Sequence, residues 1–171
     1  VLLACIYFIF AFVMARAKFQ IKGVEALKQR LLKKKQAVDD ALSMELSELG
    51  EKAVIFSKDN KGYHDQTANL KNSISFATFK DGKLVDSVIG QIPEPDKAKG
   101  GQAQVQNALE EYAAKSGVVA STGYTIIVAA GMIYGKYVED KGYNVLYLTR
   151  GFLRDGIKDI VKEVLELIKE K

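Results

Sequence analysis

The sequence predicts an α+β domain, an antiparallel sheet of about four strands packed against a long N-terminal helix and a C-terminal helix. Three observations predict it. Apolar residues recur at steps of three and four from Val24 to Phe56, and again from Leu153 to Ile168. Between these stretches, alternating segments flank Asp81-Gly82-Lys83, a strong hairpin signal. The order helix, hairpin, short helix, strand, strand, helix then places the helices on one face of the sheet.

Each element has its own justification. Lys18 to Gly23, KFQIKG, alternates and reads as a short edge strand. After it, Val24, Leu27, Leu31, Val38, Leu42, Leu46, Leu49, Ala53 and Phe56 form one helical stripe. Lys33-Lys34-Lys35 interrupts that stripe. The helix therefore either breaks there or lays its lysine stems along the seam with their ammonium groups in water. Asp59-Asn60 and Gly62 end it. In the first hairpin strand Ile74, Phe76 and Thr78 share one face, and Ser75, Ala77 and Phe79 share the other.

PEPDKAKGG, residues 93–101, is a linker by composition. Residues 102–117 read as a short helix with Val105, Leu109 and Tyr112 on a common face and Gly117 past its end. YTIIVAAG is an apolar strand, MIYGKYVEDKG a turn or short helix, and YNVLYL the fourth strand. Thr149 is the expected N-cap of the last helix. That helix's apolar face runs Leu153, Ile157, Ile160, Val161, Val164, Leu165 and Ile168, with lysines at its end where the helix dipole favours them.

Composition narrows the function classes. The chain has 171 residues, enough for one domain with a real core. Its net charge of +4 is mild and makes no case for sequence-specific nucleic-acid binding. A single cysteine, Cys5, excludes an intramolecular disulfide and a cysteine-rich zinc site. The opening VLLACIYFIFAFVMA is uncharged but falls short of the ~20 residues of a spanning helix. Residues 1–13 read as a start-site artefact ahead of Met14, with a leader or anchor, or a buried or interfacial segment, as the alternatives. Residues 14–171 are the expected single domain, and no membrane association is expected if the chain starts at Met14.

Catalytic signals are thin. In a triad reading His64 would be the base, Asp65 its orienter and Ser57 or Ser73 the nucleophile. An exposed loop histidine is the stronger reading of the chain's single His. No zinc-binding spacing is present, and Glu110-Glu111 point apart on a helix. Gly131 to Gly135 reads as a strand end, and the lysine run 33–35 as a solvated face. No catalytic residue, cofactor or metal is expected, and the chain does not read as an enzyme. Tyr124, Tyr134, Tyr137, Tyr143 and Tyr147 are clustered. They suit either sheet packing under helices or a protein interface.

Four stretches carry a family resemblance. Asp65-Gln66-Thr67-Ala68-Asn69-Leu70-Lys71-Asn72-Ser73-Ile74 resembles the D-T-G-x-L-R-x-S-I signature of the HK-ninety-seven gene-product-ten-like proteins, tail-completion or head–tail joining components of long-tailed bacteriophages. Phe19 to Leu27 is similar to the family's opening I-x-G-hydrophobic-x-x-L. Tyr134-Gly135-Lys136-Tyr137-Val138-Glu139 is similar to Y-A-x-Y-V-E, and Gly151-Phe152-Leu153 to P-F-L before a terminal helix. Ala68 stands where the family has glycine, Gln66 is an extra residue, Gly151 replaces proline, and residues 92–122 look like an insertion.

The resemblance implies a non-enzymatic virion protein of the neck or tail end. It would form a homo-oligomeric ring, a hexamer, against connector or stopper and tail-tube proteins. It also implies an assembly loop at Asp65, Thr67, Asn69, Leu70, Lys71, Ser73 and Ile74. Thr67 would cap a short turn, Leu70 would turn inward, and Lys71 and Asn72 would face water. Tyr134, Tyr137, Val138 and Glu139 form the second motif, and Phe152 and Leu153 dock the terminal helix. A membrane-anchored or secreted bacterial binding protein is the alternative, resting on the apolar N-terminus.

Overall fold

A computed structural model describes residues 23–92, 101–115 and 117–169. The elements run α1 (Val24–Asp59), α2 (Asn69–Asn72), β1 (Ile74–Lys80), β2 (Lys83–Val88), α3 (Gly101–Ala113), β3 (Tyr124–Ala130), α4 (Gly135–Asp140) and α5 (Tyr147–Lys169). The class is the expected α+β. Of the edge strand expected at residues 18–23 all but Gly23, and most of the expected linker, lie outside the described residues.

The chain divides into two compact units, residues 1–34 and 35–171. In the first, the described residues from Val24 onward are helical, and Val24, Leu27, Leu31 and Leu32 are each half or more exposed. The helical hydrogen-bonding pattern of α1 continues through Lys33-Lys34-Lys35 without a break, and these lysines are exposed.

The second unit holds the core. Its sheet has three strands in the order β2-β1-β3, all antiparallel. The turn between β1 and β2 places Asp81 at φ 49° and Gly82 at φ 78°, the left-handed pair that a tight hairpin needs. The β1–β2 register shifts at Thr78/Phe79, whereas β1–β3 pairs continuously from Ile74↔Ala130 to Lys80↔Tyr124. The Asp81 carboxylate also accepts the Gly123 N–H at 2.8 Å, tying the hairpin turn to the start of β3.

β1 is central, and its first five residues are buried. Ile74 and Phe76 pack with Val54 of α1 and Val128 of β3. On the opposite face Ala77 and Ile127 pack with Leu109 of α3, and Phe79 joins from the margin. The face assignment made from sequence is therefore correct, but helices cover both faces, not one. Residues 92–122 supply that second cover, since Val105 and Leu109 are fully buried. Tyr112, expected beside them, is 46% exposed.

The second half of α1 packs along α5 in antiparallel fashion. Phe56 stacks on Phe152 with ring centroids 4.6 Å apart. A cluster of Leu46, Leu49, Ile160 and Val164 continues the contact, flanked by Val38, Leu42, Leu153 and Ile157. Phe152 and Leu153 of the terminal helix thus pack toward α1, with Leu153 half-buried. Val161, Leu165 and Ile168 stay about half exposed on a second apolar face of α5.

Two sequence expectations fail. YNVLYL is not a strand: residues 143–146 are loop and Tyr147 opens α5. Thr149 is not an N-cap either. It lies inside α5, buried, with its hydroxyl 2.6 Å from the Ser57 hydroxyl of α1. Both failures have one physical cause, the capture of the Val145–Tyr147 amides described below.

Gly50 lets α1 lie directly on β1. A Cβ there would sit 2.3 Å from the Phe76 ring, which is wholly buried and cannot yield. Gly50→Ala should therefore destabilise by about 1–3 kcal/mol despite its better helix propensity. Gly151 in α5 has open space around its Cβ position. Gly151→Ala should stabilise by about 0.5–1 kcal/mol through propensity alone. Urea melts of the two variants check the contrast, and equal shifts of the same sign would contradict this account of the helix–sheet contact.

Candidate assembly site

The loop after α1 begins by crossing to the start of α5. Gly62 donates its N–H to the Asn144 carbonyl at 3.1 Å, and the Asn144 side chain donates to the Asn60 carbonyl. Lys61 pairs with Asp65 and lies 5.4 Å from the centre of the Tyr63 ring. Thr67 Oγ1 accepts the Asn69 N–H at 3.4 Å, so it supports the turn as its sequence position suggests.

Ala68 is the unusual residue here. Its φ of 58° and ψ of 4° put it in the left-handed region, which costs a residue with a Cβ roughly 1–2 kcal/mol. The position where the resembled signature carries glycine is therefore one that demands a glycine-like backbone.

α2 then turns Leu70 inward, into a cluster with Ile92, Val105, Met132 and Val145. Asn69 is buried as well. Lys71 and Asn72, expected in water, are half-buried. The Lys58 ammonium is held below its ordinary pKa by burial and by the charge of Lys71 beside it. Ser73 and Ile74 are buried, and the Ser73 hydroxyl donates to the Leu70 carbonyl at 2.8 Å. Gly90, after β2, closes over this junction. A Cβ there would lie 2.2 Å from the Asn72 carbonyl oxygen, and its N–H is held by the Ser75 hydroxyl at 2.8 Å.

The second motif meets the first. Tyr63 to Leu70 and Tyr134 and Val138 of the α4 region enclose a pocket of about 260 Å³. Leu70 Cδ1 would lie 3.1 Å from a Cβ at Gly135, so the glycine between Tyr134 and Lys136 admits the leucine. Burial raises the Tyr134 phenol pKa, the Thr67 hydrogen bond opposes that shift, and the Asp65 charge adds to it. Burial also pushes the Tyr63 phenol well above its ordinary value, and its hydroxyl finds no partner among the described residues. Tyr137 is 64% exposed.

Glu139 ends the motif by turning back onto the chain that follows. One carboxylate oxygen accepts the N–H groups of Val145 and Leu146, both at 2.8 Å, and the other accepts that of Tyr147 at 2.9 Å. The Asn144 side chain takes the Leu148 N–H at 3.0 Å. These acceptors satisfy the amides at the start of α5 and place negative charge at the positive end of its dipole. The same amides cannot join a sheet ladder, which is why YNVLYL does not form a strand.

Among the described residues no hydrogen bond joins His64 to Ser57 or Ser73. The Ser57 and Ser73 hydroxyls donate to the Ala53 and Leu70 carbonyls, and the Asp65 carboxylate pairs with Lys61. No group of three or more metal-ligating side chains is found among the described residues. The tyrosine cluster divides unequally: Tyr124 is half-buried and donates to the Asp39 carbonyl at 2.9 Å, while Tyr134, Tyr137, Tyr143 and Tyr147 are exposed. Compared with protein-family profiles, characterised proteins and solved structures, the chain matches none.

Glu139→Ala should cost about 1–3 kcal/mol by stranding these amides, and Glu139→Gln less, because an amide keeps one acceptor oxygen. Hydrogen exchange at Val145, Leu146 and Tyr147 should accelerate in the alanine variant. An unchanged melt with unchanged exchange would remove the carboxylate from its capping role. Ala68→Gly should stabilise by roughly 0.5–1 kcal/mol, the relief of the left-handed backbone less the entropy a glycine adds to the unfolded chain. A loss of stability on thermal melting would contradict the left-handed assignment.

Proposed function

We infer that this chain is a non-enzymatic structural protein of a long-tailed bacteriophage or prophage virion. It forms part of the neck or tail-completion ring that joins the head connector to the tail tube. The observation that carries an assembly role is the placement of large apolar side chains in water at helical spacing. Val24, Leu27 and Leu31 do so on α1, and Val161, Leu165 and Ile168 on α5, each 47–59% exposed. Rows of this kind are unusual on a monomer and mark contact with other chains.

The specific place in a virion rests on the resemblance of the four motifs. Two observations support it: residues 65–74 and 134–139 form one packed unit, and Ala68 occupies a glycine-like conformation. On this reading the partners are copies of the chain itself, in a ring of six, together with connector or stopper and tail-tube proteins. Recognition works by shape and surface complementarity. No cofactor takes part.

The membrane-anchored or secreted alternative rests on residues 1–13, which lie outside the described residues. Among those that are described, no helix is long and apolar enough to cross a membrane.

Light scattering on the purified full chain, with negative-stain electron microscopy, tests the reading. A hexameric ring is expected. Leu27→Glu with Leu31→Glu should weaken it while leaving the thermal melt of dilute protein within about 0.5 kcal/mol of the parent, as for exposed sites. A chain that remains monomeric at about 100 μM, above the weak-interface range, would exclude the ring.

A further inference from the structure

We propose that the free edge of β3 is a docking site for an acidic, extended segment of another protein, taken up as a further strand of the sheet. β3 pairs with β1 on one side only, and among the described residues its backbone makes no hydrogen bond on the other. An unpaired edge is a template for an incoming strand unless something blunts it. The two edges of this sheet differ in that respect. β2 carries Lys83 and Asp86 and sits beside the register shift at Thr78/Phe79. β3, with the sequence YTIIVAA, has no charge, no proline and no irregularity in its pairing.

A groove of about 880 Å³ runs along that edge, between α5 on one side and the end of α3 with Gly117 and Val118 on the other. Ile126 and Val128 form part of its floor, and Leu153 and Ile157 line it from α5. These surfaces suit the alternate side chains of an added strand.

Charge selects the occupant. Arg150, Arg154 and Lys158 stand one helical turn apart on α5 and all line the groove, which has no carboxylate among its lining residues. Asp155 on the same helix lies 3.6 Å from Arg154 and 3.2 Å from Lys158. Arg150 has no ion pair among the described residues. One aspartate against three cations leaves this wall positive. Among the described residues β2, the other edge strand, does not answer it, because it balances Lys83 against Asp86. An acidic strand from a different protein does. This inference is independent of the ring reading.

The test uses the full chain and three labelled octapeptides: alternating Glu-Val, alternating Lys-Val, and Glu-Val with N-methylated backbone amides. Fluorescence anisotropy should show saturable, salt-sensitive binding of Glu-Val. The Lys-Val peptide should bind at least about tenfold more weakly, as the loss of a few exposed charge pairs implies. The N-methylated peptide should not bind, because it cannot complete a ladder. Arg150→Glu with Arg154→Glu should invert the preference toward Lys-Val, a reversal that a merely structural role would not produce. Lys52→Glu on α1 should leave it unchanged. Bound Glu-Val should slow hydrogen exchange of β3 amides.

Equal binding of both charged peptides, no binding of Glu-Val, or binding without β3 protection would each overturn the proposal. So would β3 amides already protected by self-association in the peptide-free protein, since that assigns the edge to a second copy.

Discussion

The Glu139 carboxylate, accepting from the backbone of Val145, Leu146 and Tyr147, is the contact on which the C-terminal half depends. It fixes where α5 begins. The start of α5 fixes which residues face α1, so that Phe152 reaches Phe56 and Thr149 reaches Ser57. A slip of one residue would rotate every α5 side chain by about 100° about the helix axis, turning Phe152 away from Phe56 and Thr149 away from Ser57. A single side chain thus sets the phase of a 23-residue helix.

The motif residues gain meaning from this arrangement. Tyr134 and Val138 border the loop at residues 63–70, while Glu139, next in the chain, holds the start of α5. α4 is therefore a short bracket between the region after α1 and the helix that packs along α1. The loop closes on the same bracket through Leu70 against Gly135. Its polar residues serve this geometry, and the buried hydroxyl of Ser73 is occupied by the backbone.

Much of this was legible in the sequence, for identifiable reasons. Long helices and a tight Asp-Gly hairpin depend on local periodicity and backbone preference, and they appear where those signals lie. The inward turn of Leu70 was also legible, being the only large apolar side chain in a polar stretch. Tyr143 to Leu148 was not. Its alternation is a true strand signal, and the feature that overrides it is a carboxylate outside the usual capping-box spacing. Covering helices on both sheet faces were not legible either. Deciding between one covered face and two requires knowing that the segment around Val105 and Leu109 returns to the sheet. Ala68 gave no local warning of its backbone, because alanine is not a residue that marks left-handed positions.

The pairing of β1 with β3 has a consequence for how such a chain can change in size. All the residues between Lys80 and Tyr124, including β2 and α3, lie inside one closed circuit whose ends meet at a single rung of the ladder. For a flexible circuit, closure entropy grows only with the logarithm of its length, about 0.6 kcal/mol for each doubling. Length can therefore accumulate between β2 and β3 at little thermodynamic cost. Such length need not stay outside the core, since α3, within this circuit, buries Val105 and Leu109. In this protein the stretch of chain that tolerates added length and the stretch that covers the second face of the sheet are the same.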